Sequence, residues 1–152
     1  LPRSYQDLAF IKDVEAKIKT ALGNKAPNIS WSDDNLHNLK GFDNYVIVFW
    51  STQCGHCLKE IPVLYDSLKD NSKTKVIAIG MEEKVSKPVW EKMVLNYPNF
   101  INVYGVNKWQ NEFAQEYGIH STPTYLVLDA DKNIIAKPDD VGALKAFFEG
   151  SK

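Results

Sequence analysis

The longest continuous apolar runs in the chain predict two buried strands on either side of a helix. Tyr45–Trp50 and Val76–Gly80 are rich in β-branched and aromatic residues, as expected of strands covered on both faces. Between them, apolar residues from Leu58 to Leu68 recur at helical spacing, and Pro62 within this stretch predicts a kink. A strand, a helix and a strand in this order predict a right-handed crossover within a parallel sheet.

The rest of the pattern predicts shorter elements that complete an α/β fold, a central mixed β-sheet flanked by helices. We expect helices to begin near Ser86, Trp109 and Ala143 and to end near Tyr97, Tyr117 and Phe148. The remaining strands are predicted at Phe100–Val106, Thr124–Leu128 and Ile134–Ala136.

The first residues predict an extension that precedes this sheet. Ser4 can cap a helix in which Leu8, Ile11, Val14, Ile18 and Leu22 recur at steps of three or four, until Gly23. We expect this amphipathic helix to cover the core, and we expect residues 28–39 to form a small hairpin. The sequence therefore divides into a helical extension, residues 1–23, and one domain, residues 24–152.

Composition limits the classes of function. The 152 residues are 44% hydrophobic and 24% charged, with a formal net charge of −1 and no basic run. A chain of this kind has no electrostatic footprint for nucleic acid or for an anionic membrane surface. Because the first residue is Leu1 rather than methionine, we expect that a signal peptide or lipid anchor has been removed.

The only two cysteines lie in Cys54-Gly55-His56-Cys57, directly after the first apolar run. A disulfide here would close almost no loop and would stabilise the fold little, so the pair indicates redox chemistry. Cys54 at a helix start favours the thiolate, Cys57 one turn later suits a resolving thiol, and His56 can carry a stabilising positive charge. A zinc site needs two further ligands, and His37 and His120 are isolated in sequence, so we predict no metal.

Two separate motifs resemble those of thioredoxin-like proteins. Phe49–Cys57 resembles their active-site segment, and Ser121-Thr122-Pro123-Thr124 resembles the loop that carries their cis-proline. Within that superfamily the chain is most similar to the bacterial TlpA/ResA-like group. Glu60 stands where that group has its active-site acid, and the stretch between Gly80 and Pro123 has room for its inserted helix and strand.

The resemblance implies a thiol–disulfide oxidoreductase of thioredoxin fold that acts in the periplasm or on the extracytoplasmic face of the membrane. Cys54 and Cys57 are the catalytic pair, Glu60 assists proton transfer, and Gly55 and His56 tune the potential. The implied substrate groove comprises Trp50, Gln53, Thr122 and Pro123. We expect a monomer that reduces protein disulfides with electrons from a membrane-bound donor, and that needs no cofactor beyond its own redox-active disulfide.

Departures from the family pattern leave alternatives open. Gln53 replaces the usual tryptophan before the first cysteine, and Val48 stands where cytoplasmic thioredoxins have a buried aspartate. His56 matches the tetrapeptide of protein disulfide isomerases, so oxidation or isomerisation is an alternative to reduction. A binding module that uses the groove without turnover is a second alternative.

Overall fold

The computed structural model of the protein describes residues 4–150, apart from the side chains of Tyr5 and Gln6. Five α-helices and five strands occur within these residues. The helices are α1 (Tyr5–Lys19), α2 (Gly55–Leu68), α3 (Lys87–Met93), α4 (Glu112–Tyr117) and α5 (Val141–Gly150). The strands are β1 (Asn44–Trp50), β2 (Thr74–Glu82), β3 (Ile101–Val106), β4 (Thr124–Leu128) and β5 (Ile134–Ala136).

The sheet has the order β3-β2-β1-β4-β5, with the most apolar strand in the middle. β1 pairs in parallel with β2, β2 pairs in parallel with β3, and β4 runs antiparallel to β1 and to β5. The carboxyl ends of β1, β2 and β3 therefore meet the amino end of β4 at one edge. This edge carries the cysteine motif.

The two faces of β1 contribute side chains to two separate hydrophobic cores. Because side chains alternate along a strand, Tyr45, Ile47 and Phe49 point into one core, and Val46, Val48 and Trp50 point into the other. The second core contains Cys57 and the buried face of α2, together with Leu144 of α5. This packing holds α2 against the sheet, with its first turn at the edge that carries the cysteine motif.

The prediction that α1 covers the core with its apolar stripe is wrong. Leu8, Ile11, Val14, Ile18 and Leu22 are exposed, at 38–64% of their surface. The helix instead approaches the body through Ala16 and Thr20, which are buried. Ala16 comes so close to Gly118 that a Cβ atom added at Gly118 would lie 3.0 Å from the Cβ atom of Ala16. Small residues are what allow α1 to approach the body so closely, and the pattern of hydrophobic residues does not identify the face of α1 on which they lie.

The predicted hairpin over residues 28–39 is smaller than expected. It reduces to one bridge, Ser30 to Asn35, followed by a 3₁₀ turn at Leu36–Asn38. Asp34 and Asn35 accept hydrogen bonds from nearby backbone N–H groups, and such local bonds compete with strand pairing. Ile29 and Leu36 are nevertheless fully buried and fix this segment on the core.

Two predicted helices are shorter than expected. The segment from Trp109 to Tyr117 divides into a 3₁₀ turn at Lys108–Gln110 and α4, because Asn111 has extended backbone angles and caps α4. The helix after Ser86 ends as α3 at Met93 and continues only as a 3₁₀ turn. The division between residues 1–23 and 24–152 stays a prediction. No helix within residues 4–150 is both long enough and apolar enough to cross a membrane.

Candidate functional site

The cysteine pair lies where β1 passes into α2. Cys54 has extended backbone angles, φ −107° and ψ 115°, and is the N-cap of α2. Its Sγ atom accepts a hydrogen bond from the backbone N–H of Cys57 at 3.2 Å. Both thiols are free, with Cys54 half-buried and Cys57 fully buried. The Cys54 residue is therefore partly accessible from outside, whereas Cys57 is not.

The surroundings shift the two thiols in opposite directions. Partial burial raises the pKa of Cys54, but hydrogen bonds from the side chains of Cys57 and Thr122 and from the backbone of Cys57 and His56 outweigh it and lower the pKa below its usual value. Burial, followed by the hydrogen bond with Cys54, raises the pKa of Cys57 to about 12. Cys54 is thus the more readily ionised of the two thiols, and Cys57 is the one that retains its proton.

The loop before β4 faces this pair. The peptide bond between Thr122 and Pro123 is cis, the geometry that the family resemblance implied. The Cys54 thiol lies 3.5 Å from the carbonyl oxygen of Thr122 and can donate to it. The structure thus brings Thr122 to the Cys54 sulfur, with Pro123 directly after it, and the role of both residues in holding a substrate stays a prediction.

A groove of about 370 Å³ runs beside Pro123. Its walls include Lys17 of α1, His120 and Lys137. The His120 Nε2 atom lies 2.5 Å from Oδ1 of Asp13 on α1. This contact joins α1 to the segment that precedes the cis-proline. A larger cavity of about 1000 Å³ is lined by residues around Asn44, at the opposite end of β1 from the cysteines.

Glu60 lies on α2 and is partly buried. One of its oxygens, Oε1, accepts hydrogen bonds from the Tyr125 hydroxyl at 2.9 Å and from the backbone N–H of Val141 at 2.8 Å. The carboxylate therefore joins α2 to β4 and to the first residue of α5. Its assistance in the deprotonation of Cys57 stays a prediction.

Tyr125 is a site residue that the sequence did not reveal. It is 1% exposed, packs in the same core as Cys57 and pairs with Val48 across the sheet. Burial and then the hydrogen bond to Glu60 raise the pKa of Tyr125, and the charge of a Cys57 thiolate acts in the same direction. A tyrosine in an apolar strand gives no sequence signal for this position.

Glu82 is the second residue that the sequence did not reveal. It ends β2 with 1% exposure, and its carboxylate accepts hydrogen bonds from the backbone and the hydroxyl of Thr52 at 2.6 and 3.0 Å. The available signal was an acidic residue at the end of a buried strand, at the same edge of the sheet as Cys54.

The other predicted site residues differ in their exposure to solvent. Gly55, His56 and Gln53 are exposed beside Cys54, and the Gln53 amide donates to the Thr52 hydroxyl. Trp50 is only 1% exposed and packs edge-on against Tyr97, so the prediction that it lines the groove is wrong. As the last residue of β1 it supports the site from the core.

No group of three or more histidine, cysteine or acidic side chains within residues 4–150 is arranged to hold a metal ion.

Comparison with known proteins identifies relatives for most of the chain. A family model described as thioredoxin-like matches residues 41–134. The chain is 29% identical over 133 residues to the thiol-disulfide oxidoreductase ResA of Bacillus thuringiensis (strain Al Hakam), an alignment that covers 78% of this chain and 70% of that protein.

Solved structures agree with the architecture. A domain of a possible thiol-disulfide isomerase from Cytophaga hutchinsonii is 32% identical, with a TM-score of 0.72 over 86% of this chain and 92% of that one. The thioredoxin domain of a thiol-disulfide oxidoreductase from Bacteroides vulgatus, 21% identical, gives a TM-score of 0.71 over 86% and 97%. The predicted fold is confirmed.

Proposed function

Because the chain belongs to the thioredoxin-like family, we propose that its Cys54–Cys57 pair reduces disulfides in protein substrates. The broader prediction, that the protein is a thiol–disulfide oxidoreductase of thioredoxin-like type, is confirmed at the level of the family. The observation that carries the proposal is the difference between the two thiols, since one is accessible with a lowered pKa and the other is buried with a raised pKa.

The reaction follows from that difference. The Cys54 thiolate attacks one sulfur of a substrate disulfide, and the substrate sulfur–sulfur bond breaks to release one thiolate, which takes up a proton. Cys57 then loses its proton and attacks the Cys54 sulfur. The mixed disulfide breaks, the second substrate thiol leaves, and two electrons have passed from the protein to the substrate. The product is the Cys54–Cys57 disulfide.

Deprotonation of Cys57 is the demanding step, because burial opposes the thiolate. Glu60 follows Cys57 by one turn on α2, and its hydrogen-bond partner Tyr125 packs in the same core as Cys57. We assign to Glu60 the acceptance of that proton, directly or through an intervening water, while Tyr125 holds the carboxylate in place.

The groove beside Pro123 suits an extended polypeptide as the substrate. The carbonyl of Thr122 lies beside the Cys54 sulfur, and backbone groups at such a position can pair with a substrate strand. The electron donor that returns the pair to the dithiol state is expected to be membrane-bound, and the protein is expected to act as an extracytoplasmic monomer. These points rest on the resemblance to the TlpA/ResA-like group.

Substitution of each cysteine tests the mechanism. Cys57→Ser should accumulate a mixed disulfide with substrate on Cys54, visible as an added mass that a reductant removes, whereas Cys54→Ser should form none. If partner binding and the cellular phenotype survive in Cys54→Ser, the protein is a binding module instead.

The direction of exchange needs a separate measurement, because His56 favours the alternative of an oxidase or isomerase. His56 is exposed beside Cys54, and a positively charged imidazole at this position would stabilise the thiolate and hence the reduced protein. Equilibration with glutathione mixtures gives the reduction potential. A value near about −270 mV supports the reductase, and one near or above about −180 mV supports oxidation or isomerisation.

A further inference from the structure

The turn that delivers Cys54 is built on a buried carboxylate. Oε1 of Glu82 accepts the backbone N–H of Thr52 at 2.6 Å, and Oε2 accepts the hydroxyls of Thr52 and Ser51 at 3.0 and 3.4 Å. Among the ion pairs of residues 4–150, none includes Glu82. Hydrogen bonds from this one turn are therefore what compensates the burial of the carboxylate.

The same turn is closed by Ser51. Its hydroxyl oxygen accepts the backbone N–H of Gln53 at 3.1 Å, and its carbonyl oxygen accepts the backbone N–H of Cys54 at 3.2 Å. Each residue from Ser51 to Cys54 is thus bonded either to Glu82 or to a residue that Glu82 holds. The carboxylate itself makes no described hydrogen bond to either sulfur.

We propose that Glu82 is a positioning residue that fixes the Ser51–Cys54 turn and so holds the Cys54 sulfur on the first N–H groups of α2. This inference rests on the proposed exchange at Cys54. The placement matters because the Cys54 Sγ atom accepts the Cys57 N–H at 3.2 Å, and a turn free to move would lengthen that bond. An apolar residue at the end of β2 would bury more easily but could not hold the turn.

The test compares Glu82→Ala, Glu82→Gln and Thr52→Val with Glu83→Gln. Glu83 is the adjacent acid and is exposed, so its substitution removes the same charge without touching the turn. Thr52→Val removes one donor to the carboxylate and leaves the backbone N–H. The measurements on the reduced proteins are the pH dependence of Cys54 alkylation, read by peptide mass, and the rate of exchange with oxidised glutathione.

Glu82→Ala should raise the pH at which Cys54 ionises and slow exchange about tenfold, whereas Glu82→Gln and Thr52→Val should each slow it about threefold. Glu83→Gln should match the wild type in both measurements. A general loss of stability would lower the unfolding temperature without moving the ionisation of Cys54, so the ionisation measures positioning.

The proposal is overturned if folded Glu82→Ala ionises and exchanges as the wild type does. If Glu82→Ala does not fold, the two milder variants decide, and wild-type behaviour in both overturns the proposal. Failure of the proposed function is a different result: the wild type itself would not exchange with disulfides, while the ionisation of Cys54 would still report on Glu82.

Discussion

Removal of the Tyr125 hydroxyl should weaken the fold by an amount that the structure allows us to estimate. Tyr125→Phe deletes the 2.9 Å hydrogen bond to Glu60 Oε1 and leaves the ring in its buried site. A hydrogen bond to a charged group contributes about 1.5–3 kcal/mol. Glu60 is partly exposed and keeps the Val141 N–H, so we expect the lower end, about 1.5 kcal/mol. For a chain of this length that is about 3–6 °C in unfolding temperature.

Urea unfolding of the reduced protein, followed by circular dichroism, measures this change. Tyr65→Phe is the matched control, because Tyr65 is a half-buried tyrosine whose ring contacts with Tyr97 and Phe100 the substitution preserves. It should stay within about 0.5 kcal/mol of the wild type. A double-mutant cycle with Glu60→Gln should give a coupling energy of about 1 kcal/mol. A stability of Tyr125→Phe equal to that of the control, or no coupling, would refute the assigned contact.

Three further predictions concern the thiols, the sheet and the extension. Alkylation of the reduced protein should modify Cys54 at pH values below about 8.5, the ordinary thiol range, and should spare Cys57, whose pKa is about 12; equal reactivity of both would contradict the assignment of roles. Gly80→Ala should destabilise the fold by about 1–3 kcal/mol in urea unfolding, because a Cβ atom there would lie 2.2 Å from Trp90 Nε1; an unchanged midpoint would show that the indole moves freely. Phe10→Ser should change stability by less than about 0.5 kcal/mol in the same assay, because Phe10 is 70% exposed, and a larger loss would mean that α1 packs differently.

The central sheet and the nucleophilic turn could be predicted from the sequence because their signals are local. A run of apolar β-branched and aromatic residues such as Tyr45–Trp50 has few ways to be buried other than as a central strand. The spacing of the cysteines and their place at the start of a helix likewise predict thiol–disulfide chemistry. Both signals are contained within a dozen residues.

Contacts between distant segments could not be predicted in this way. The strand positions of Glu82 and Tyr125 do not indicate their partners. The pairing of β1 with β2 brings Thr52 to Glu82, and the packing of α2 on the sheet brings Glu60 to Tyr125. The prediction of which face of α1 packs on the body was wrong for a related reason. An apolar stripe indicates a helix, but the face that packs was decided by the small size of Ala16 and its fit to Gly118.

The cysteines and the residues that surround them are synthesised at very different times. The partners of the site are far apart along the chain: Thr122 is 68 residues beyond Cys54, Tyr125 is 65 residues beyond Glu60, and Val141 is 81 residues beyond Glu60. Long-range contacts of this kind form late in folding, because the intervening chain must first be closed. While the polypeptide emerges, both thiols are therefore present before the wall that shields Cys57 and the loop that faces Cys54. During that interval the two thiols of the nascent chain lack the surroundings that distinguish them, and the difference in burial between Cys54 and Cys57 arises only when β4 pairs with β1 and α5 docks.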